Sequence, residues 1–105
     1  MDKKDILKQL GDMPEEIYDE IVRGFYDETR GHLEKISKAI AAADWTTIDR
    51  EAHGIKGSSA NLRLSQISEA AKSMQDAAKT LDLSETIKLY ELLNTLIPNL
   101  SRSKN

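Results

Sequence analysis

The stretch PEEIYDEIVRGFYDETRGHLEKISKAIAAA, residues 14–43, decides the fold. Ile17, Ile21, Phe25, Leu33, Ile36 and Ile40 recur at helical intervals, and Tyr18, Val22 and Tyr26 widen the stripe. That is the 3.6-residue period of an amphipathic α-helix, not the two-residue alternation of a strand. At about 1.5 Å per residue such a helix would be roughly 45 Å long. Gly24 and Gly31 each cost about 1 kcal/mol relative to Ala in a helix interior, so a soft spot is expected along it. Asp12 and Glu15 have the spacing of a capping box, and Pro14 suits a first turn, where its missing N–H loses nothing.

Working outward, Ile6, Leu7 and Leu10 predict a short helix over about 5–10, stopped by Gly11 and lying across one end of the molecule. On the other side Asp44 is the cap of a helix running from Trp45 to about Leu62, with Ile48, Ala52, Ile55, Ser59 and Leu62 inward. Ser65 is read as the cap of the next, to about Leu81, with Ile67, Ala70, Ala71, Met74, Ala77 or Ala78, and Leu81 inward. Ser84 is read as the cap of the last, whose inward set is Ile87, Tyr90, Leu93, Leu96, Ile97 and Leu100. Pro98 bends or ends it, and 101–105 is expected to fray. Links of a few residues cannot carry the chain back to its starting end, so neighbouring helices must run antiparallel. The expectation is an all-α fold: an up-down-up-down four-helix bundle over about 14–100 with a short extra N-terminal helix, forming one domain over 1–105.

Composition agrees. Of 105 residues 31% are charged and 5% aromatic, a balance that favours helices and argues against disorder. Fifteen basic against eighteen acidic side chains give a formal charge of −3. No basic block stands apart, so nucleic acid is not an expected partner. There is no Cys, no apolar run long enough to cross a bilayer, and no apolar core behind the charged start, so a cytoplasmic protein without a membrane partner is expected.

The chemistry concentrates in Ala52-His53-Gly54-Ile55-Lys56-Gly57-Ser58-Ser59-Ala60-Asn61-Leu62. Residues advance about 100° each on a helix, which places His53, Lys56 and Gly57 on one face and the apolar set roughly opposite. Arg50 lies one turn before His53 and Lys56 one turn after. An imidazole open to solvent between two cations is suited to receive a phosphoryl group, because the cations offer charge-assisted hydrogen bonds to its oxygens. Gly54 and Gly57 together give up close to 2 kcal/mol of local helix stability. Off the apolar stripe, Gly57 is best explained by bare backbone that a partner approaches closely; for Gly54 that reading and packing against a neighbouring helix stay open.

This run, within its bundle, resembles the histidine-containing phosphotransfer (HPt) domain of multistep two-component phosphorelays. The resemblance implies that His53 is the phosphorylated nucleophile, Lys56 its positive neighbour, Gly57 the clearance residue and Ser59 a small polar support. It implies that Gln75, on the following helix, accepts from the imidazole Nδ1–H and leaves Nε2 free to attack phosphorus. The docking surface would comprise Arg50, Gly54, Gly57, Ala60 and Asn61. The implied partners are response-regulator receiver domains, which carry phosphoaspartate, and a hybrid sensor histidine kinase. No cofactor of the chain's own is implied, since the receiver supplies Mg²⁺, and the chain is expected to be a monomer. Three residues depart from the family pattern: Arg63 replaces a common Gly, Leu64 a smaller residue and Gly54 a larger one.

Other residues carry less. His32 falls near the inner stripe of its helix and reads as a packed or boundary histidine. Trp45 reads as packing at the bundle end. Two histidines without Cys make no metal spacing, so no metal site is expected. Ser58 and Ser59 lack a base and an orienting group, and no nucleotide loop supports phosphorylation from ATP. The competing reading is a helical interaction module that binds a receiver or kinase without carrying phosphate.

Overall fold

The computed structural model describes residues 2–98. It is helical, with no strand among those residues: α1 (Lys3–Gln9), α2 (Glu15–Ala41), α3 (Trp45–Asn61), α4 (Ser65–Lys79) and α5 (Leu83–Leu96). Helix α3 packs against α2 and α4, and α5 against α4 and α2. Ile36, Ile48, Ile55, Met74, Leu93 and Ile97 are fully buried where these helices meet. The readings of Leu100 and of 101–105 lie outside the described residues.

Helix α2 is unbroken through Gly24 and Gly31. Its buried seam is Tyr18, Phe25, Thr29, Leu33, Ile36 and Ala39, which corrects the sequence-based stripe: Ile17 and Ile21 are 49% and 43% exposed. Phe25, Leu33 and Ile36 of that stripe are buried, so it fails only near the N-terminus, where the contact is polar: Tyr18 donates its hydroxyl to the Leu62 carbonyl at 2.6 Å, joining that end of α2 to the end of α3. On α5 Leu93 and Ile97 are buried and Tyr90 and Leu96 half-buried as expected, while Ile87 is 40% exposed and Thr86 and Leu89 are buried instead. Thr86 tolerates burial because its hydroxyl donates to the Asp82 carbonyl at 2.8 Å.

The three links of α2 to α5, residues 42–44, 62–64 and 80–82, share one design. The middle residue of each has a left-handed backbone: Ala43 at φ 53°, Arg63 at φ 62° and Leu81 at φ 55°. The next N–H then reaches back into the finished helix, Asp44 to the Ala39 carbonyl at 2.8 Å, Leu64 to Ser59 at 2.9 Å and Asp82 to Ala77 at 2.9 Å. This closes orphan carbonyls as a Schellman cap does. The same residue is the N-cap of the next helix, so Leu64 and Asp82 hold the places expected of Ser65 and Ser84. Asp82 accepts from the Glu85 N–H at 3.0 Å. Leu81, expected inward, is 62% exposed because it lies in a link, not on a helix face.

The α1–α2 connection also differs from expectation. Gly11 and Asp12 both have positive φ, Pro14 is the N-cap without a side-chain bond, and the Asp12 capping box does not form. Lys3 instead ties α1 to the first turns of α2, 2.6 Å from Asp19 and 3.6 Å from Glu15. Arg63 Nε donates to Gln9 Oε1 at 3.0 Å, fixing α1 to the α3–α4 link.

Candidate functional site

Helix α3 starts firmly. Asp44 accepts from the Thr47 N–H at 3.2 Å and its hydroxyl at 2.6 Å, and these bonds hold the Asp44 carboxyl below its ordinary value. From there the helix divides into two faces. Ile48, Ala52, Ile55 and Ser59 are completely buried; Ser59 satisfies its hydroxyl by donating to the Ile55 carbonyl at 2.6 Å. His53, Arg50, Gly57, Ser58, Ala60 and Asn61 are exposed, with Lys56 and Gly54 half-buried beside them. The fold therefore brings the expected α3 residues to one surface.

The glycines separate. A Cβ on Gly57 would meet nothing within 4 Å, so no packing inside the chain requires a glycine there. A Cβ on Gly54 would lie 3.4 Å from Cε1 of His32, on α2. Gly54 is thus a packing position on the α2 side, where it lets an imidazole lie close over the helix.

That imidazole belongs to an arrangement the sequence reading missed. His32 Nδ1 is 2.8 Å from Oε1 of Glu51, whose side chain is 9% exposed, and Arg50 Nε lies 3.5 Å from Oε2. Burial raises the Glu51 carboxyl, but the His32 hydrogen bond and the charges of His32 and Lys35, with a bond from Arg50, outweigh it and hold the group below its ordinary value. A signal was available: Glu51 sits between Ile48 and Ile55 on the apolar stripe, a place where an acid needs a partner.

On the opposite flank Gln75, nine-tenths buried on α4, reaches α3 but not at His53. Its Nε2 donates to Asp49 Oδ1 at 2.9 Å and lies 3.5 Å from the Asp49 carbonyl. The expected Gln75 to His53 bond is therefore corrected to a bond with the residue one turn earlier, the nearer acceptor being a carboxylate. Arg63, despite its left-handed backbone, donates from Nη1 to the Ala60 and Asn61 carbonyls at 3.2 and 3.1 Å. Those bonds cover the C-terminal end of α3 where a glycine would offer none.

Two clefts, of about 380 and 360 Å³, lie at Arg63–Ile67 with Tyr26 and Leu96, and between α4 and α5 around Ala70, Leu89 and Leu92. His53 lines neither and is exposed on an open face. Among the described residues no group of His, Cys, Asp or Glu is arranged to hold a metal ion, and no helix is long and apolar enough to cross a membrane. A family model described as Hpt domain matches residues 20–103. No curated protein and no solved structure matches the chain.

Proposed function

Since the chain belongs to the Hpt domain family, with its phosphotransfer role in two-component signalling, we propose that His53 accepts a phosphoryl group from a receiver phosphoaspartate and passes it to another receiver. The observation that carries this reading is the exposed imidazole of His53 beside Lys56 and the bare backbone of Gly57, on a helix whose other face is sealed in the core.

In the forward step the Nε2 lone pair attacks phosphorus, the N–P bond forms, and the P–O bond to aspartate breaks, returning a carboxylate to the receiver. The imidazole keeps its Nδ1 proton, and Lys56 offers a charge-assisted hydrogen bond to the phosphoryl oxygens. Mg²⁺ is supplied by the receiver. Most of the rate enhancement then comes from holding two groups in line, which docking on Arg50, Gly57, Ala60 and Asn61 would provide. We place the chain in the cytoplasm as a monomeric single domain, fed by a hybrid sensor histidine kinase. The helices are inferred to run antiparallel in up-down-up-down order, because three-residue links reverse direction and α5 returns to pack on α2.

Incubation with a phosphorylated cognate receiver is expected to leave acid-labile phosphate on the wild type and none on His53→Gln. Equal labelling of the two would overturn the assignment. Binding of the receiver without labelling would favour the non-phosphorylated interaction module.

A further inference from the structure

The guanidinium of Arg63 can be accounted for hydrogen by hydrogen. It carries five N–H donors and no acceptor. Nε donates to Gln9 Oε1 at 3.0 Å, and Nη1 donates to the Ala60 and Asn61 carbonyls at 3.2 and 3.1 Å. Three donors are thereby engaged, and the group is held from α1 on one edge and from the end of α3 on another. The two N–H groups of Nη2 meet no acceptor among the described residues, and that nitrogen is not sealed from water.

The engaged donors fix the surface to which the open ones belong. Ala60 stands two turns after His53, about 20° round the helix and about 10 Å along it. It is exposed, and it lines an open groove of about 230 Å³ together with Arg63, Ser65, Ser68 and Glu69. Glu69, the acid of that groove, makes no ion pair with Arg63 among the described residues. Arg50, Lys56 and Arg63 give α3 and its link three cations, against Asp49, which holds Gln75, and Glu51, which holds His32. Arg63 is then about 15 Å from His53 along the axis. An ordinary protein interface of about 800 Å² per partner is roughly 16 Å in radius, so a partner centred on His53 meets Arg63 at its rim.

Resting on the reading that a receiver docks over His53, we infer that Arg63 is a recognition residue of this surface. The two N–H groups of Nη2 receive a carboxylate of the receiver, and Gln9 with the two carbonyls holds the guanidinium ready for it. A planar fork already fixed in place loses little freedom on binding. Glycine would suit the left-handed backbone at residue 63, φ 62°, better than arginine does, but it would offer the visitor no such group.

The test uses a receiver that labels the wild type, so the phosphotransfer reading already holds and a failure falls on Arg63 alone. Association and dissociation rates are measured with the full chain at roughly 0.01 M and 0.15 M salt, where screening differs most usefully. Arg63→Gly, which the backbone accepts, and Arg63→Met, which keeps the stem, are expected to slow association about threefold to fivefold at low salt and to flatten its salt dependence. Arg63→Lys should keep the salt dependence and dissociate faster, because the charge remains and the fork does not. In transfer assays the loss should fall on the receiver concentration needed for half-maximal rate, not on the rate at saturation, since Arg63 lies out of reach of phosphorus. A wild-type association rate and salt dependence in Arg63→Gly, an equal loss at both salt concentrations, or a Lys variant that associates as slowly as the Met variant would overturn the proposal.

Discussion

The two histidines of the chain stand on adjacent helices and differ in what holds them. His32, on α2, is locked at 2.8 Å to a carboxylate that is itself nearly sealed, and its ring covers Gly54. His53, on α3, is exposed, and no hydrogen bond reaches it among the described residues. A histidine that is part of the packing spends its ring nitrogen on another helix; one that must take and release phosphorus has to keep a nitrogen free for a visitor. The same helix serves both, because residues 51 and 53 lie about 160° apart around it.

Exchanging the losses of the two residues should break the molecule in two different ways, and this is the largest effect expected. His53→Ala should abolish transfer while changing unfolding free energy by no more than about 0.5 kcal/mol, as for exposed positions generally. His32→Ala removes the main partner of a buried carboxylate and should cost roughly 1–3 kcal/mol. Its transfer rate should stay near wild type as long as the protein is folded. Urea denaturation beside receiver labelling checks both; an equally stable His32→Ala would mean that the His32–Glu51 pair between α2 and α3 contributes nothing to the fold.

Acid should act on the Glu51 flank. With its carboxyl held below the ordinary value of 4.5, Glu51 stabilises the fold fully above that pH. As pH falls through the folded value, the unfolded chain has already bound the proton that the folded pair resists, so that stability is lost. The wild type should therefore lose more stability than Glu51→Gln between about pH 5 and pH 3. Asp44, depressed by its bonds to Thr47, adds the same loss to both proteins and cancels in the difference. Urea midpoints across that range give the comparison, and parallel curves would remove the Glu51 contribution.

The two flanks were unequally legible in the sequence. The helices, the apolar stripe of α3 and the open position of His53 follow from the 3.6-residue period. On α2 the period holds at Phe25, Leu33 and Ile36 but overextends to Ile17 and Ile21, and it passes over Thr29, which is buried though hydropathy scores it as polar. Glu51 was hidden by the same rule, since only a partner from 19 residues away makes its burial tolerable. The links were misread because Ala43, Arg63 and Leu81 occupy a backbone region that costs such residues about 1–2 kcal/mol and is normally given to glycine. At Arg63 the guanidinium bonds to Gln9, Ala60 and Asn61 offset that cost; at Leu81 only the backbone bonds of the link do so among the described residues. On the α4 side, the motif placed Gln75 against α3 but not the acceptor it chooses.

The smallest effects sharpen the contrast most, because they change one methyl group on each flank of His53. Gly57→Ala should gain helix propensity worth about 1 kcal/mol, with nothing within 4 Å to oppose it. Gly54→Ala has the same propensity to gain but sets its methyl 3.4 Å from the His32 ring, so its net gain should be smaller. Transfer should respond in the opposite order. The methyl on residue 57 stands on the open face and should slow transfer by holding the receiver off, while the one on residue 54 is turned toward α2 and should leave the rate nearly unchanged. Thermal melts and labelling rates of the two variants decide the matter. If Gly57→Ala is more stable and equally fast, the glycine serves no visitor, and the openness around His53 is broader than transfer requires.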